Sequence, residues 1–161
     1  MRTKPELRAE LVRRRRELPR AEVEAASRAI AAQVLAGVDW PAVRTMHVYS
    51  SVAGWGEVDT GPIVSVVQAE WPQIVVSRPG LGRDQPIPTE RFDVIVVPVV
   101  GFDRANNRLG LGGGFYDRFL AGRPAALKIG LAYAWALVPE GLPVEPHDVP
   151  LDRIVTEAPL S

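Results

Sequence analysis

Between Arg108 and Asp117 the chain reads Arg-Leu-Gly-Leu-Gly-Gly-Gly-Phe-Tyr-Asp. Gly110, Gly112, Gly113 and Gly114 crowd into five positions, with a cation before them and a carboxylate after. Without a Cβ, such a backbone can take positive φ and bring its N–H groups close to an anion. A helix opening directly after the loop adds a positive dipole end. The chemistry this suits is capture of phosphate oxygens, with Arg108 pairing in a forked geometry. Asp117, in the first helical turn, suits Mg²⁺ beside those phosphates. The loop departs from G-x-G-x-x-G, because Phe115 stands at the last glycine position, and it has no Walker A lysine. The same glycines also suit a tight turn that binds nothing, and the residues alone leave both readings open.

The elements that must position these residues alternate along the chain. Thr3-Lys4-Pro5-Glu6 spells a capping box, and Leu7, Leu11 and Leu18 give a thin apolar stripe on a mostly exposed helix that Pro19 stops. Val23, Ala26, Ile30 and Val34 predict a second helix over 20–36, with Gly37 as its C-cap. Strands are predicted at 46–49, 74–76, 93–100, 128–132 and 153–156, with helices at 62–70 and 115–121. The run Asp93–Val100 is almost wholly apolar and β-branched, as in a buried parallel strand. This alternation predicts one α/β domain over 1–161, three-layered α/β/α, with a mainly parallel sheet. The Pro- and Gly-rich stretch 78–91 is the expected flexible loop.

Composition narrows the function classes. With no cysteine, thiolate metal sites, disulfides and cysteine nucleophiles are excluded. Net charge is zero, which argues against a general polyanion binder and against nucleic acid as a partner. Residues 1–28 nevertheless hold nine basic and five acidic side chains, a local excess of +4. Arg13 to Arg16 reads as a solvated helix face. No apolar run is long enough to span a membrane and no secretory leader is evident, so a cytoplasmic location is expected.

The loop with its flanks, Asp93-Val94-Ile95-Val96-Val97-Pro98 and Gly101-Phe102-Asp103, resembles the 5-formyltetrahydrofolate cyclo-ligases, or methenyltetrahydrofolate synthetases. Lys4-Pro5-Glu6-Leu7-Arg8 is similar to that family's Lys-x-x-Leu-Arg, and Glu57-Val58-Asp59-Thr60 to its acidic segment after the first strand. Ile129-Gly130-Leu131-Ala132, Leu142–Asp148 and Leu151–Glu157 resemble its C-terminal pattern, in the same order. The resemblance implies ATP- and Mg²⁺-dependent closure of 5-formyltetrahydrofolate to 5,10-methenyltetrahydrofolate, with ADP and phosphate released. It implies that the formyl oxygen is phosphorylated, N10 attacks the activated carbon, and phosphate leaves. Lys4 and Arg8 would then contact ATP phosphates. Arg108, Leu109, Gly110, Leu111, Gly112, Gly113, Gly114, Phe115 and Tyr116 would hold the nucleotide, with Arg108 and Tyr116 facing the reacting group. Val52 and Glu57 would bind the reduced folate, and Asp117 and Asp152 the metal.

The chain departs from the family pattern in three places. Few residues separate Ser77-Arg78 from Arg91-Phe92, where the family has extra strands that cover the folate. Ala136 stands where the family carries glutamine, and Phe115 where many members have tyrosine. These differences carry an alternative reading, a diverged non-catalytic paralogue that keeps the nucleotide-binding fold.

Overall fold

Five parallel strands form the central sheet. They are β1 (Thr45–Val48), β2 (Val75–Ser77), β3 (Val94–Pro98), β6 (Leu127–Leu131) and β7 (Arg153–Val155), in the order β2-β1-β3-β6-β7. β4 (Gly101–Phe102) and β5 (Arg108–Leu109) make a separate antiparallel hairpin. The helices are α1 (Lys4–Arg16), α2 (Arg20–Gly37), α3 (Gly61–Glu70) and α4 (Phe115–Ala121). This computed structural model describes residues 1–52, 54–78 and 86–160, so the centre of the 78–91 stretch lies outside the described residues. None of the helices described is long and apolar enough to cross a membrane.

Side-chain alternation along the buried strands divides the core between the two faces of the sheet. Met46, Val48, Val94, Val96, Ile129 and Leu131 pack with α2 and α3. Ile95 and Val97 point the other way, toward Phe119 and Leu120 of α4. The result is the predicted α/β/α layering. A third cluster joins Leu7 and Leu11 of α1 to Val100, Leu109, Val138 and Leu142, which seats α1 over the hairpin.

Local sequence rules account for most element ends. The Thr3–Glu6 capping box is present, with Thr3 N donating to Glu6 Oε2 at 2.7 Å. α4 spans the predicted residues, and α2 runs through Gly37 to end on extended Val38, so Gly37 is not a left-handed cap. The predicted strand 93–100 is cut short at Pro98. Val100 N instead donates to Leu109 O at 2.8 Å, and the chain turns into the hairpin.

The Arg13–Arg16 run is not a uniformly solvated face. Arg15 is 3% exposed, and its Nε donates to Trp55 O at 3.1 Å. Arg14 lies 4.3 Å over the Trp135 ring and Arg16 5.8 Å from that of Trp55. Gly56 makes the close approach possible. At φ +70, an added Cβ would stand 2.1 Å from Arg15 O. Gly54, at φ +85, faces open space.

His47 is fully buried between Phe92 and Phe119, and neither ring nitrogen has a hydrogen-bond partner. Burial, with the Arg123 charge adding to it, pulls its pKa down from 6.5 to about 4.

Two stability measurements check this account. Gly56→Ala is expected to lose about 2–3 kcal/mol in urea unfolding, against about 1 kcal/mol for Gly54→Ala, whose only penalty is its φ. His47 stays neutral in the folded chain but takes a proton in the unfolded chain below pH 6.5. Its contribution is therefore intact above pH 6.5 and is lost as pH falls toward 4. Wild type should lose about 2–3 kcal/mol more than His47→Leu between pH 7 and pH 4.5. Parallel pH curves for the two proteins would refute the assignment.

Candidate active site at the glycine loop

The site is assembled beyond the C-terminal end of β3. Arg108 Nε donates to Pro98 O at 2.8 Å, which ties the start of the glycine loop to the strand's exit. The hairpin below it is braced by Asp103. This buried carboxylate accepts from Ala105 N, Asn107 N, Asn107 Nδ2 and Leu142 N, each at 3.0 Å. Burial pushes the Asp103 pKa up, but these donors outweigh it and leave it below the ordinary carboxylate value.

Within the loop, Gly112 (φ +101) and Gly114 (φ +72) adopt left-handed backbone. A Cβ on Gly110 would fall 2.3 Å from Arg108 Nη2, so glycine there leaves room for the guanidinium. Leu111, Gly112 and Gly113 face solvent.

Other elements close in around the loop. Arg8 of α1 donates from Nε to Gly110 O at 2.8 Å, and its guanidinium lies beside Gly112. Lys4, one turn earlier, donates from Nζ to Asp148 Oδ2 at 2.5 Å and to Glu145 Oε1 at 3.4 Å. Burial works against the Lys4 charge, yet Asp148 prevails and its pKa is raised. Asp117 lies in the first turn of α4, where its Oδ1 accepts from Val149 N at 3.4 Å. Burial lowers the Arg108 pKa, opposed by the negative charges of Asp117 and Asp148. Lys4, Arg8, Arg108 and Asp117 thus come together, a grouping that the family resemblance implied and that spacing alone suggested only for Lys4 and Arg8.

Tyr116 links this cluster to a second one. The Arg108 guanidinium sits 5.2 Å from the centre of its ring. Burial raises the pKa of its hydroxyl, and the Glu57 charge raises it further. Glu57 Oε2 accepts from Val52 N at 2.8 Å, which brings the two predicted folate contacts together. The Glu57 charge also acts on Arg15, Tyr49 and Tyr133, raising the pKa of each. The Tyr133 hydroxyl donates to Gly56 O at 2.6 Å, and burial pushes its pKa up to about 12.

Asp152 is placed differently. It is exposed at the entry of β7, and its Oδ2 accepts from Lys128 N at 2.8 Å, which fastens the start of β6. His147 is a loop residue whose Nε2 lies 3.7 Å from Asp148 Oδ1, too far for a catalytic pair. Arg15 and Tyr133 carry no motif of their own, and their only sequence signal is a charge or a hydroxyl. Asp148 closes the matched segment Leu142–Asp148, which gave it no assigned role. Two open hollows, of about 410 and 370 Å³, lie away from the glycine loop. The larger is bounded by α2, Tyr133 and Trp135.

These features define an α/β/α protein with a glycine-loop site at the exit edge of a parallel sheet. The chain belongs to the 5-formyltetrahydrofolate cyclo-ligase family, whose model matches residues 55–157. A 5-formyltetrahydrofolate cyclo-ligase of Escherichia coli K12 is 41% identical over 86 residues, covering 52% of this chain and 47% of that one. That of Mycolicibacterium smegmatis is 34% identical over 107 residues, covering 63% and 50%. The chain thus spans about half the length of the curated relatives it matches. The fold is also that of a 5,10-methenyltetrahydrofolate synthetase from Mycoplasma pneumoniae. The TM-score is 0.81 at 25% identity, covering 96% of this chain and 99% of that one. A synthetase of the same name from Aquifex aeolicus gives 0.76 at 27% identity, covering 96% and 89%.

Removing the Asp103 carboxylate would leave four donors without their acceptor, that of buried Leu142 among them. Asp103→Ala is expected to cost about 3 kcal/mol in chemical unfolding. A loss under about 1 kcal/mol would show that the hairpin is held elsewhere.

Proposed function

We propose that this chain converts 5-formyltetrahydrofolate to 5,10-methenyltetrahydrofolate with ATP as phosphoryl donor, releasing ADP and phosphate. The observation that carries the reading is the position of Tyr116. Its ring lies 5.2 Å from the Arg108 guanidinium that opens the glycine loop, and its hydroxyl feels the charge of Glu57, which accepts from Val52 N. A phosphoryl donor held at the glycine loop and a folate acceptor held at Glu57 would meet near Tyr116, so that the γ-phosphoryl reaches the formyl oxygen. N10 then attacks the activated carbon and phosphate departs. Most of such a reaction's barrier is lowered by positioning and by charge stabilisation.

Lys4, Arg8 and Arg108 supply positive charge from two directions, and the left-handed glycines keep side chains clear of the phosphates. Glu57 is the polar anchor for the folate, and Arg108 is the group nearest the transferred charge. Among the described residues no group of three or more His, Cys, Asp or Glu is arranged to cage a metal. The donor set suits an ion shared between one carboxylate and nucleotide phosphates, as Mg²⁺ prefers. Asp117 fits that role, because its one described hydrogen bond is long. Bound there, Mg²⁺ would neutralise charge on the phosphates. Asp152 suits it less, since its carboxylate already fastens β6.

Incubation with 5-formyltetrahydrofolate, ATP and Mg²⁺ is expected to produce methenyltetrahydrofolate absorbance and equimolar ADP. Retained ATP binding without product would leave the non-catalytic paralogue. Asp117→Ala should lower kcat/KM by at least about a hundredfold. Glu57→Gln should raise KM for the folate about tenfold and leave KM for ATP unchanged. Full activity in Asp117→Ala would remove the metal assignment.

A further inference from the structure

One buried cation beside the Glu57 turn is only partly used by the protein itself. Arg15 is 3% exposed, and its Nε donates to Trp55 O at 3.1 Å. Its Nη groups, donors that a guanidinium always carries, find no acceptor among the described residues. Those groups are not sealed in. Among the described residues only the His47 ring nitrogens are both fully enclosed and without a partner. The Glu57 charge acts on Arg15 and opposes the effect of burial on it. The nearby hydroxyls are committed elsewhere, Tyr49 to Val58 O and Tyr133 to Gly56 O. Trp55 O, Gly56 O and Val58 O are thus each held by a side chain from a different part of the fold. The turn that carries Glu57 is fixed, and Arg15 is fixed beside it.

We propose that Arg15 is a specificity-determining residue for the folate, its Nη groups donating to the 4-oxo oxygen of the pteridine ring. This rests on the reading that Glu57 anchors the folate. A 2-amino-4-oxo pteridine presents N–H donors on its 2-amino group and N3, with the 4-oxo acceptor next to them. A site that reads this edge needs a carboxylate and a strong donor side by side. Glu57, tied to Val52 N at 2.8 Å, and Arg15, tied to Trp55 O, are such a pair. The other strong acceptors of a folate are its glutamate carboxylates. Glu57 would repel one of those here and offsets much of the guanidinium charge, whereas the 4-oxo oxygen is a neutral carbonyl. Buried donors left without a protein partner penalise a ligand that cannot accept from them.

The test is a cycle between the side chain and the ligand atom, read by calorimetric titration into the full chain without nucleotide, with thermal melting alongside. The ligands are 5-formyltetrahydrofolate, its 4-thioxo analogue, and 5-formyltetrahydropteroate, which lacks the glutamate. The thioxo analogue keeps the N3 proton but offers sulfur, a weak acceptor. Wild type should bind it about tenfold more weakly than the parent, and Arg15→Met less than about threefold more weakly. Equal binding of the two ligands by wild type would overturn the proposal whether or not the variant folds. The same ratio in wild type and Arg15→Met would overturn it too. Removing the glutamate should cost both proteins the same factor. A smaller cost in Arg15→Met would put the guanidinium on the tail carboxylates and sink the assignment. Glu57→Gln separates this from the reading beneath it. If Glu57→Gln binds the parent as wild type does, Glu57 does not anchor the folate, and both statements fall together. If it binds about tenfold more weakly while Arg15→Met keeps the wild-type thioxo ratio, only the assignment of Arg15 falls.

Discussion

Everything at the site depends on how α1 is docked. A helix this rich in arginine has little apolar surface, yet Leu7 and Leu11 are buried against Val100, Leu109, Val138 and Leu142. Burying two leucines is worth about 3–6 kcal/mol before entropy, enough to hold a short helix against a hairpin. The approach is close, since a Cβ on Gly101 would come within 2.6 Å of Leu11 Cδ1. Once those leucines are seated, the helical repeat fixes the direction in which the side chains of Lys4 and Arg8 leave the helix. Arg15, two turns past Arg8, is carried in the same way onto the turn at 54–57. The cations thus take their places from an apolar contact.

Arg15 shows the opposite balance of forces. A guanidinium taken out of water loses hydration, and burial lowers its pKa, with Glu57 and two tyrosines opposing. Such a group stays buried only because its surroundings satisfy it. Trp55 O takes its Nε proton, and Gly56 lets the backbone come near enough for that bond. The turn bearing Glu57 is therefore attached to the helix bearing Lys4 and Arg8. The glycine-loop side of the site and the Glu57 side share one support.

Legibility followed the range of each interaction. The Thr3 cap, the period of α2 and the bounds of α4 rest on neighbours within a few residues, and all three were readable. The parallel sheet was readable from its β-branched runs. The end of β3 was not. Val99 and Val100 look like more strand, and only pairing with Leu109 turns the chain away. Arg15 was read with its arginine neighbours as solvated, because its partner lies forty positions on. At the site, the glycine loop carried the signal for Arg108 and Asp117, and the family resemblance of the N-terminal Lys-x-x-Leu-Arg carried that for Lys4 and Arg8. Tyr133 reaches Gly56 O through a contact that no local pattern encodes. Asp152 sits in a matched motif, but its carboxylate serves the sheet.

The bond from Arg8 to Gly110 spans 102 positions of sequence. α1 is made before the rest of this fold, and the surface that receives it comes from residues as late as Leu142. During synthesis the helix must wait, with Leu7 and Leu11 uncovered, while the layer of α2, β1 and α3 is completed. Non-local closures of this kind are slow and come late in folding. The candidate site is therefore assembled last, when α1 closes onto a nearly finished body. A nascent chain that stalls short of the hairpin holds its first cations and has nowhere to put them.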